Sequence, residues 1–207
     1  MDGTLIDSTE YHWRSWHDAL AAENFELSYE QFQDLYGQRN IAIVRAYLGD
    51  DMPLDEIERI STAKETHYRT LVHEQGIELL PGVHHWLDTL REQGWQQAIA
   101  TSAPRGNLDT IVDVLGIRHY FAALVDGEEV EDGKPNPQPF LLAARRLNVP
   151  PERCIVVEDS SSGIEAGKRG GMRTIGVLTS HDELPADIVV PTLDQLPPDA
   201  FSGLLHT

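Results

Sequence analysis

From Thr9 to about Leu80, apolar residues return every three or four positions, the spacing of one helical face, with no strand-like alternation. Trp13, Trp16 and Leu20 mark the first such face, across Tyr11 to Ala22. Ser28-Tyr29-Glu30-Gln31 has the form of a capping box, in which two side chains satisfy each other's backbone N–H at a helix start. Ile57, Ile60, Tyr68, Leu71 and Val72 then share one face of a long helix from about Leu54, which Gly76 is suited to close. Pro81-Gly82 punctuates the end of this block.

Beyond Pro81 the rhythm changes to helical stretches alternating with short apolar runs. The predicted helices are Val83 to Gln93, Asn107 to Leu115, Gln138 to Leu147 and Ile164 to Arg169. The predicted strands are Trp95 to Ala100, Ala122 to Val125, Arg153 to Val157, Thr174 to Leu178 and Ile188 to Val190. Such alternation predicts an α/β fold with a doubly wound parallel sheet. The core domain is expected from residues 1–8 and 81–207, with an all-helical domain, 9–80, inserted early.

In such sheets ligands bind at the carboxyl ends of the strands. Past Ala100 come Thr101 and Ser102; past Val125 come Asp126 and, further on, Lys134; past Val157 come Glu158, Asp159 and Ser160. Hydroxyls, one ammonium and paired carboxylates at one edge suit a phosphate held against a hard cation. The turn Asp2-Gly3-Thr4 adds a carboxylate and a hydroxyl at a sharp exit before the first amphipathic helix.

Composition narrows the classes. A formal net charge of −18 over 207 residues disfavours nucleic acid or an anionic membrane surface as a partner. One cysteine, Cys154, excludes an internal disulfide framework and fits a reducing compartment. There is no 18-residue apolar run and no signal-peptide pattern behind Met1, so the expected location is cytoplasmic, with the oligomeric state left open.

Met1 to Ser8 resemble the latter part of the signature Asp-x-Asp-Gly-Thr-Leu-x-Asp-Ser of the haloacid dehalogenase superfamily. Ala-Ile-Ala-Thr101-Ser102 is similar to its second motif, Gly133-Lys134-Pro135-Asn136-Pro137 to its third and Val-Val-Glu158-Asp159-Ser160 to its fourth. The helical insert resembles the small cap of the subgroup that includes β-phosphoglucomutase, and Glu10 to Trp16 resembles that subgroup's first cap helix. The resemblance implies a Mg²⁺-dependent phosphohydrolase that works through an aspartyl-phosphate. Met1 stands at the "x" of the signature, so the nucleophilic Asp and its buried strand are expected before Met1. As written the chain is expected to be inactive and to lack the first core strand.

The resemblance also implies roles. Asp2 would be the general acid and base, with its carbonyl facing the metal. Thr101 would donate to a phosphoryl oxygen and Lys134 would offset the gathering negative charge. Asp159, with Glu158 directly or behind it, would hold Mg²⁺. Thr4, Ser102 and Arg105 are further candidates for holding the substrate's phosphate. In the insert, His12 matches a hinge histidine of the mutase subgroup. Arg39 and Lys64 fall near substrate-contacting cap residues in an offset register, and plain surface charges are the simpler reading for both. Asp7 and Ser8 are expected to start the first insert helix.

Asp2 favours phosphate esters, since dehalogenases and phosphonatases of the superfamily lack a carboxylate there. The mutase carries Ser and Lys after its second-motif Ser, where this chain has Ala103 and Pro104. The expected activity is therefore hydrolysis of small phosphorylated metabolites such as sugar phosphates. A sugar-phosphate mutase and a non-catalytic Mg²⁺ or phosphate binder are the alternatives. Gly163-Ile-Glu-Ala-Gly167-Lys168-Arg169 imitates a P-loop, but is one residue short and has Arg where Ser or Thr must bind Mg²⁺.

Overall fold

The computed structural model describes residues 1–35 and 37–205. They form two compact units, one of Ser8–Gly76 and one of Met1–Asp7 with the chain from Ile77 onward. The division falls at Gly76 rather than at the expected Leu80. Its physical reason is pairing: Leu79 bridges to Ile6, and the Leu80 N–H donates to the Leu5 carbonyl at 2.9 Å.

The helical unit consists of α1 (Thr9–Ala21), α2 (Tyr29–Leu35), α3 (Asn40–Leu48) and α4 (Leu54–Gln75). Trp16, Leu20, Phe32, Val44 and Ile60 are buried together as its core. The capping box forms as expected: the Ser28 N–H donates to Gln31 Oε1 at 2.9 Å and the Gln31 N–H to Ser28 Oγ at 3.2 Å. Gly76 closes α4 with φ of 73°, a conformation that a side chain disfavours, and its N–H donates to the Val72 carbonyl. Ser8 does stand at the N-cap of α1, but its side chain makes no capping bond.

The second unit carries α5 (Val83–Glu92), β1 (Gln97–Ala100), α6 (Arg105–Val114), β2 (Phe121–Val125), α7 (Gln138–Leu147), β3 (Ile155–Glu158), α8 (Ser161–Arg169), β4 (Arg173–Val177), β5 (Ile188–Val190) and α9 (Ala200–Leu205). Every strand pairing is parallel, as the alternation predicts, but the strands form two sheets, β2-β1 and β3-β4-β5. Several boundaries differ from expectation. The Trp95 N–H still closes α5 by donating to the Leu90 carbonyl, so β1 starts two residues late. Pro150-Pro151 opens a 3₁₀ turn that takes up Arg153, so β3 starts at Ile155. Helices α6 and α8 begin early, directly after Pro104 and Ser160. Among the described residues no helix is long and apolar enough to cross a membrane.

Asp187 fastens β5 to β4. Its Oδ2 accepts the Thr174 N–H at 2.7 Å and the Thr174 hydroxyl at 2.8 Å. Burial pushes its carboxyl up, but the Thr174 hydrogen bonds outweigh it and hold the group below its ordinary 3.8. A folded-state value below the unfolded one gives stability that is full above the unfolded value and lost as pH falls through the folded one. Asp187→Asn is expected to lower stability by about 1–2 kcal/mol at neutral pH. Chemical denaturation at pH 7 and at about pH 3 checks this, and the gap to the parent should shrink at the lower value.

Candidate active site

Two consecutive acids end β3, and each is held differently. Glu158 is 3% exposed. Its Oε2 accepts the N–H groups of Asp159 and Ser160 at 3.1 Å and the Ser160 hydroxyl at 2.8 Å, while its Oε1 pairs with Lys134 Nζ. Burial pushes the Glu158 carboxyl up; Lys134, the amino group at Met1 and Ser160 prevail and hold it at about 2. Glu158 is thus an anion with its lone pairs largely committed.

Asp159 has hydroxyl donors instead of a cation. Its Oδ1 accepts from Thr4 Oγ1 at 3.1 Å and its Oδ2 from Ser180 Oγ at 2.6 Å. Burial raises its carboxyl, and the neighbouring Glu158 anion raises it further. Of the two adjacent acids, it is Glu158 that the Lys134 ammonium pairs with.

The Asp2-Gly3-Thr4 turn is pressed against this carboxylate. A Cβ on Gly3 would lie 2.0 Å from Asp159 Oδ2, and Gly3 has φ of 70°. Only glycine permits that approach with that backbone. The Thr179 hydroxyl, past β4, donates to the Gly3 carbonyl, so the turn is clasped from the β4 side as well. Asp2 is half-buried at the head of the turn.

Lys134 lies in the loop after β2, and its ion pair with Glu158 brings the carboxyl ends of β2 and β3 to one rim. Thr101, directly past β1, is 4% exposed; its N–H donates to the Val125 carbonyl and its Oγ1 accepts the Ala103 N–H at 3.1 Å. That leaves the hydroxyl proton able to donate. Ser102 is exposed. Arg105 is also exposed, and its guanidinium is held by Asp109 at 2.7 Å on its own helix and lies 3.9 Å from buried Asp126.

The three candidates in the helical unit have their own surroundings there. Lys64 is 2% exposed, which overturns the surface-charge reading. Its Nζ donates to Glu65 Oε1 at 3.0 Å and lies 2.9 Å from His12 Nδ1, while His12 stacks on Tyr68 with ring centroids 4.3 Å apart. Asn40 Nδ2 donates to the same Glu65 oxygen at 2.9 Å. A buried lysine persists because its charge is paired, and the surrounding rings of Trp16 and Tyr68 add cation–π attraction. Arg39 is exposed in extended backbone at the N-cap of α3. Lys64→Met is expected to remove about 1.5–3 kcal/mol from the helical unit, since Asn40 still bonds Glu65; denaturation followed by far-UV circular dichroism measures it.

Mg²⁺ takes oxygen ligands, needs only one or two carboxylates and retains several waters. The donor set fits: the Thr4 and Ser180 hydroxyls surround Asp159, and the Gly3 backbone packs on it. Among the described residues no three His, Cys, Asp or Glu side chains cluster closely enough to cage an ion by themselves. Asp159 and Asp2 are the residues that would hold such an ion, and Glu158 fixes the Asp159 backbone by accepting its N–H.

Sequence reasoning missed Gly163, Thr179 and Ser180. A Cβ on Gly163 would lie 2.1 Å from Glu158 Cδ, so this first glycine of the failed P-loop makes room for the carboxylate. The signal lay in a helix whose N-cap serine, Ser160, accepts the Gly163 N–H at 3.1 Å. Thr179 and Ser180 had none, being ordinary loop hydroxyls until the chain folds.

The family description of the haloacid dehalogenase-like hydrolases matches residues 1–177. The chain is 32% identical over 213 residues to a phosphorylated carbohydrates phosphatase from Thermotoga maritima, covering 99% of this chain and 95% of that one. It is 30% identical over 198 residues to a β-phosphoglucomutase from Bacillus subtilis, covering 92% and 86%. The crystal structure of CbbY from Rhodobacter sphaeroides in complex with phosphate superposes with a TM-score of 0.85 at 30% identity, covering 95% of this chain and 93% of that one. With the family description matched over residues 1–177 and relatives at 30% identity or more over most of its length, the chain belongs to the haloacid dehalogenase-like hydrolases.

Proposed function

We propose that this rim serves Mg²⁺-dependent hydrolysis of the phosphate ester of a small phosphorylated metabolite, of the sugar-phosphate class. The observation that carries the reading is the pairing of Lys134 with Glu158 beside an Asp159 that the Thr4 and Ser180 hydroxyls hold. The named relatives, a carbohydrate phosphatase and a sugar-phosphate mutase, support the substrate class.

In this reading a carboxylate on the residue directly before Met1 attacks phosphorus. A new P–O bond forms as the ester P–O bond breaks, and the Asp2 carboxyl gives its proton to the leaving oxygen. Water then attacks the aspartyl-phosphate, Asp2 takes its proton, and phosphate leaves. Thr101 donates its hydroxyl to a phosphoryl oxygen, and Lys134 lowers the repulsion between nucleophile and phosphoryl group. Bound Mg²⁺ supplies positive charge against the phosphoryl oxygens. Ser102 and Arg105 are the proposed outer phosphate contacts. Ala103 and Pro104, in place of the mutase's Ser and Lys, favour water as the acceptor over a second sugar hydroxyl.

The test assays phosphorylated sugars with Mg²⁺, using the 207-residue chain and the same chain with an apolar strand ending in Asp added before Met1. Hydrolysis by the extended chain alone is the expected result. Turnover at enzymatic rates by the 207-residue chain would refute the assignment of the nucleophile. Conversion of β-glucose 1-phosphate to the 6-phosphate without phosphate release would favour the mutase. Saturable phosphate binding with no turnover by either form would favour the non-catalytic relative.

A further inference from the structure

The loops that follow β1 and β2 are built as one wall. The Thr101 N–H donates to the Val125 carbonyl at 3.0 Å, and the Gly127 N–H to the Ala103 carbonyl at 2.9 Å. A Cβ on Gly127 would lie 2.3 Å from the Ser102 carbonyl oxygen, so the Asp126-Gly127 backbone is pressed directly on Ser102. Whatever stands beside Thr101 and Ser102 on this side therefore stands beside Asp126 as well.

Asp126 is 2% exposed. Its Oδ1 accepts the Glu128 N–H at 2.9 Å, and its Oδ2 lies 3.9 Å from Arg105 Nη1. That distance is beyond a hydrogen bond, so Arg105 faces the carboxylate without being bound by it. Arg105 gives its Nε to Asp109 at 2.7 Å instead. Arg118 grips the same Asp109 at 2.7 Å and reaches Asp113 at 2.9 Å. Glu129, which accepts the Asp126 N–H, is matched by Arg146.

Charge does not balance in this wall. Among the described residues, Arg105 and Arg118 are two cations facing three anions, Asp109, Asp113 and Asp126. Asp126 is the most buried of the five, and a buried charge is screened least by salt and water. Burial, first, and then the neighbouring Glu129 charge raise its carboxyl above the ordinary 3.8, the mark of a place that resists further negative charge.

Two anionic groups of one substrate would meet different conditions here. A phosphate at Thr101 and Ser102 is offset by Lys134 and by the cation that Asp159 and Asp2 would hold. A second anion on the β1–β2 side finds Arg105 already shared between two carboxylates, with Asp126 behind it. Like charges brought together in a partly dry site repel strongly enough to decide between substrates. A hydroxyl brings no charge and can accept from the Arg105 N–H groups that Asp109 leaves over.

We propose that the Asp126 carboxylate selects substrates by charge: it admits those with one phosphate and an uncharged, hydroxyl-bearing remainder, and turns away those with a second phosphate or a carboxylate. The proposal rests on the reading of this rim as a phosphate-ester site and narrows its substrate class.

Glucose 1-phosphate, glucuronate 1-phosphate and glucose 1,6-bisphosphate differ only in the group on the sugar's primary carbon, which is a hydroxyl, a carboxylate or a phosphate. Titration calorimetry of the 207-residue chain with Mg²⁺ compares their affinities, with inorganic phosphate as the common reference. The parent should bind glucose 1-phosphate at least about tenfold more tightly than either analogue. Asp126→Asn keeps an oxygen for the Glu128 N–H and should shrink that gap to about threefold or less. Asp109→Asn, at a more exposed position, should move it in the same direction, which keeps the test open if the buried substitution unfolds the protein. Added salt should narrow the gap more in the parent than in Asp126→Asn, a response that a purely structural role would not give.

A parent that binds the glucuronate ester or the bisphosphate as tightly as glucose 1-phosphate overturns the proposal, and so does a gap that survives both substitutions. Binding of inorganic phosphate but of none of the three esters overturns it too, because the hydroxylated remainder is then refused. Each of those results leaves the phosphate site itself standing. Failure to bind even inorganic phosphate removes the phosphate-ester reading, and the proposal with it.

Discussion

Gly163→Ala is expected to remove about 3–5 kcal/mol from the stability of the second unit, although the change adds one methyl group in a helix. Alanine is ordinarily the better helix former by about 1 kcal/mol, so propensity and packing predict opposite signs. Packing decides, because the added Cβ would lie 2.1 Å from Glu158 Cδ and within 2.5 Å of both carboxylate oxygens. The carboxylate cannot yield without releasing the Ser160 and Asp159 N–H groups and the Lys134 ammonium together. Breaking a buried ion pair from one side leaves its partner without compensation, which is the source of the large effect. Denaturant titration gives the loss directly. A Gly163→Ala protein as stable as its parent would mean that Glu158 has another place to sit. Ser160→Ala, which removes one hydroxyl donor and the helix cap, should cost about 1–2 kcal/mol and serves as the milder reference.

Asp2→Asn is expected to lower hydrolysis by about 10²–10⁴-fold in the chain extended by a strand ending in Asp, while leaving the fold intact. An asparagine keeps the shape of the turn but has no proton to give to the leaving oxygen. The loss should depend on the leaving group. An alkyl phosphate, whose departing alkoxide needs a proton, should lose most, and an aryl phosphate with an acidic phenol should lose least. A uniform loss across leaving groups would mean that Asp2 positions the turn rather than transferring a proton. Glu158 offers a contrast: paired with Lys134 and bonded by Ser160, it is held as an anion and cannot serve as the acid near neutral pH.

What the sequence discloses depends on how far apart the interacting residues lie. α7 and β5 were legible to the residue, because Pro137 and Asn148 bracket the one and a compact apolar run defines the other. Starts of elements were less legible. Pro104 and Ser160 each begin a helix earlier than its apolar periodicity does, and the 3₁₀ turn at Pro151 borrows residues that look like strand. The pairing of Lys134 with Glu158 was approachable from the sequence, because both follow the ends of predicted strands, whereas Thr4 was marked only by its place in the Asp2-Gly3-Thr4 turn. Thr179 and Ser180 were not, since their role arises only when the loop after β4 meets Gly3 and Asp159. Lys64 was misread for a related reason: a lysine in a helix is ordinarily solvated, and only the tertiary fold supplies Glu65 and two aromatic rings around it.

The hydrogen bond from Thr4 to Asp159 spans 155 positions of chain. On a ribosome that adds about 5–20 residues each second, the Asp2-Gly3-Thr4 turn emerges roughly 8–30 s before the carboxylate it packs against exists. The whole of Ser8–Gly76, whose core draws only on its own helices, is delivered within that interval. The insert can therefore complete its folding while the acidic rim is still an unmade contact between the two ends of a growing chain. Order of synthesis and order of assembly run opposite ways here: the Asp2-Gly3-Thr4 turn is made well before Asp159, Thr179 and Ser180, the partners it and its carboxylate meet.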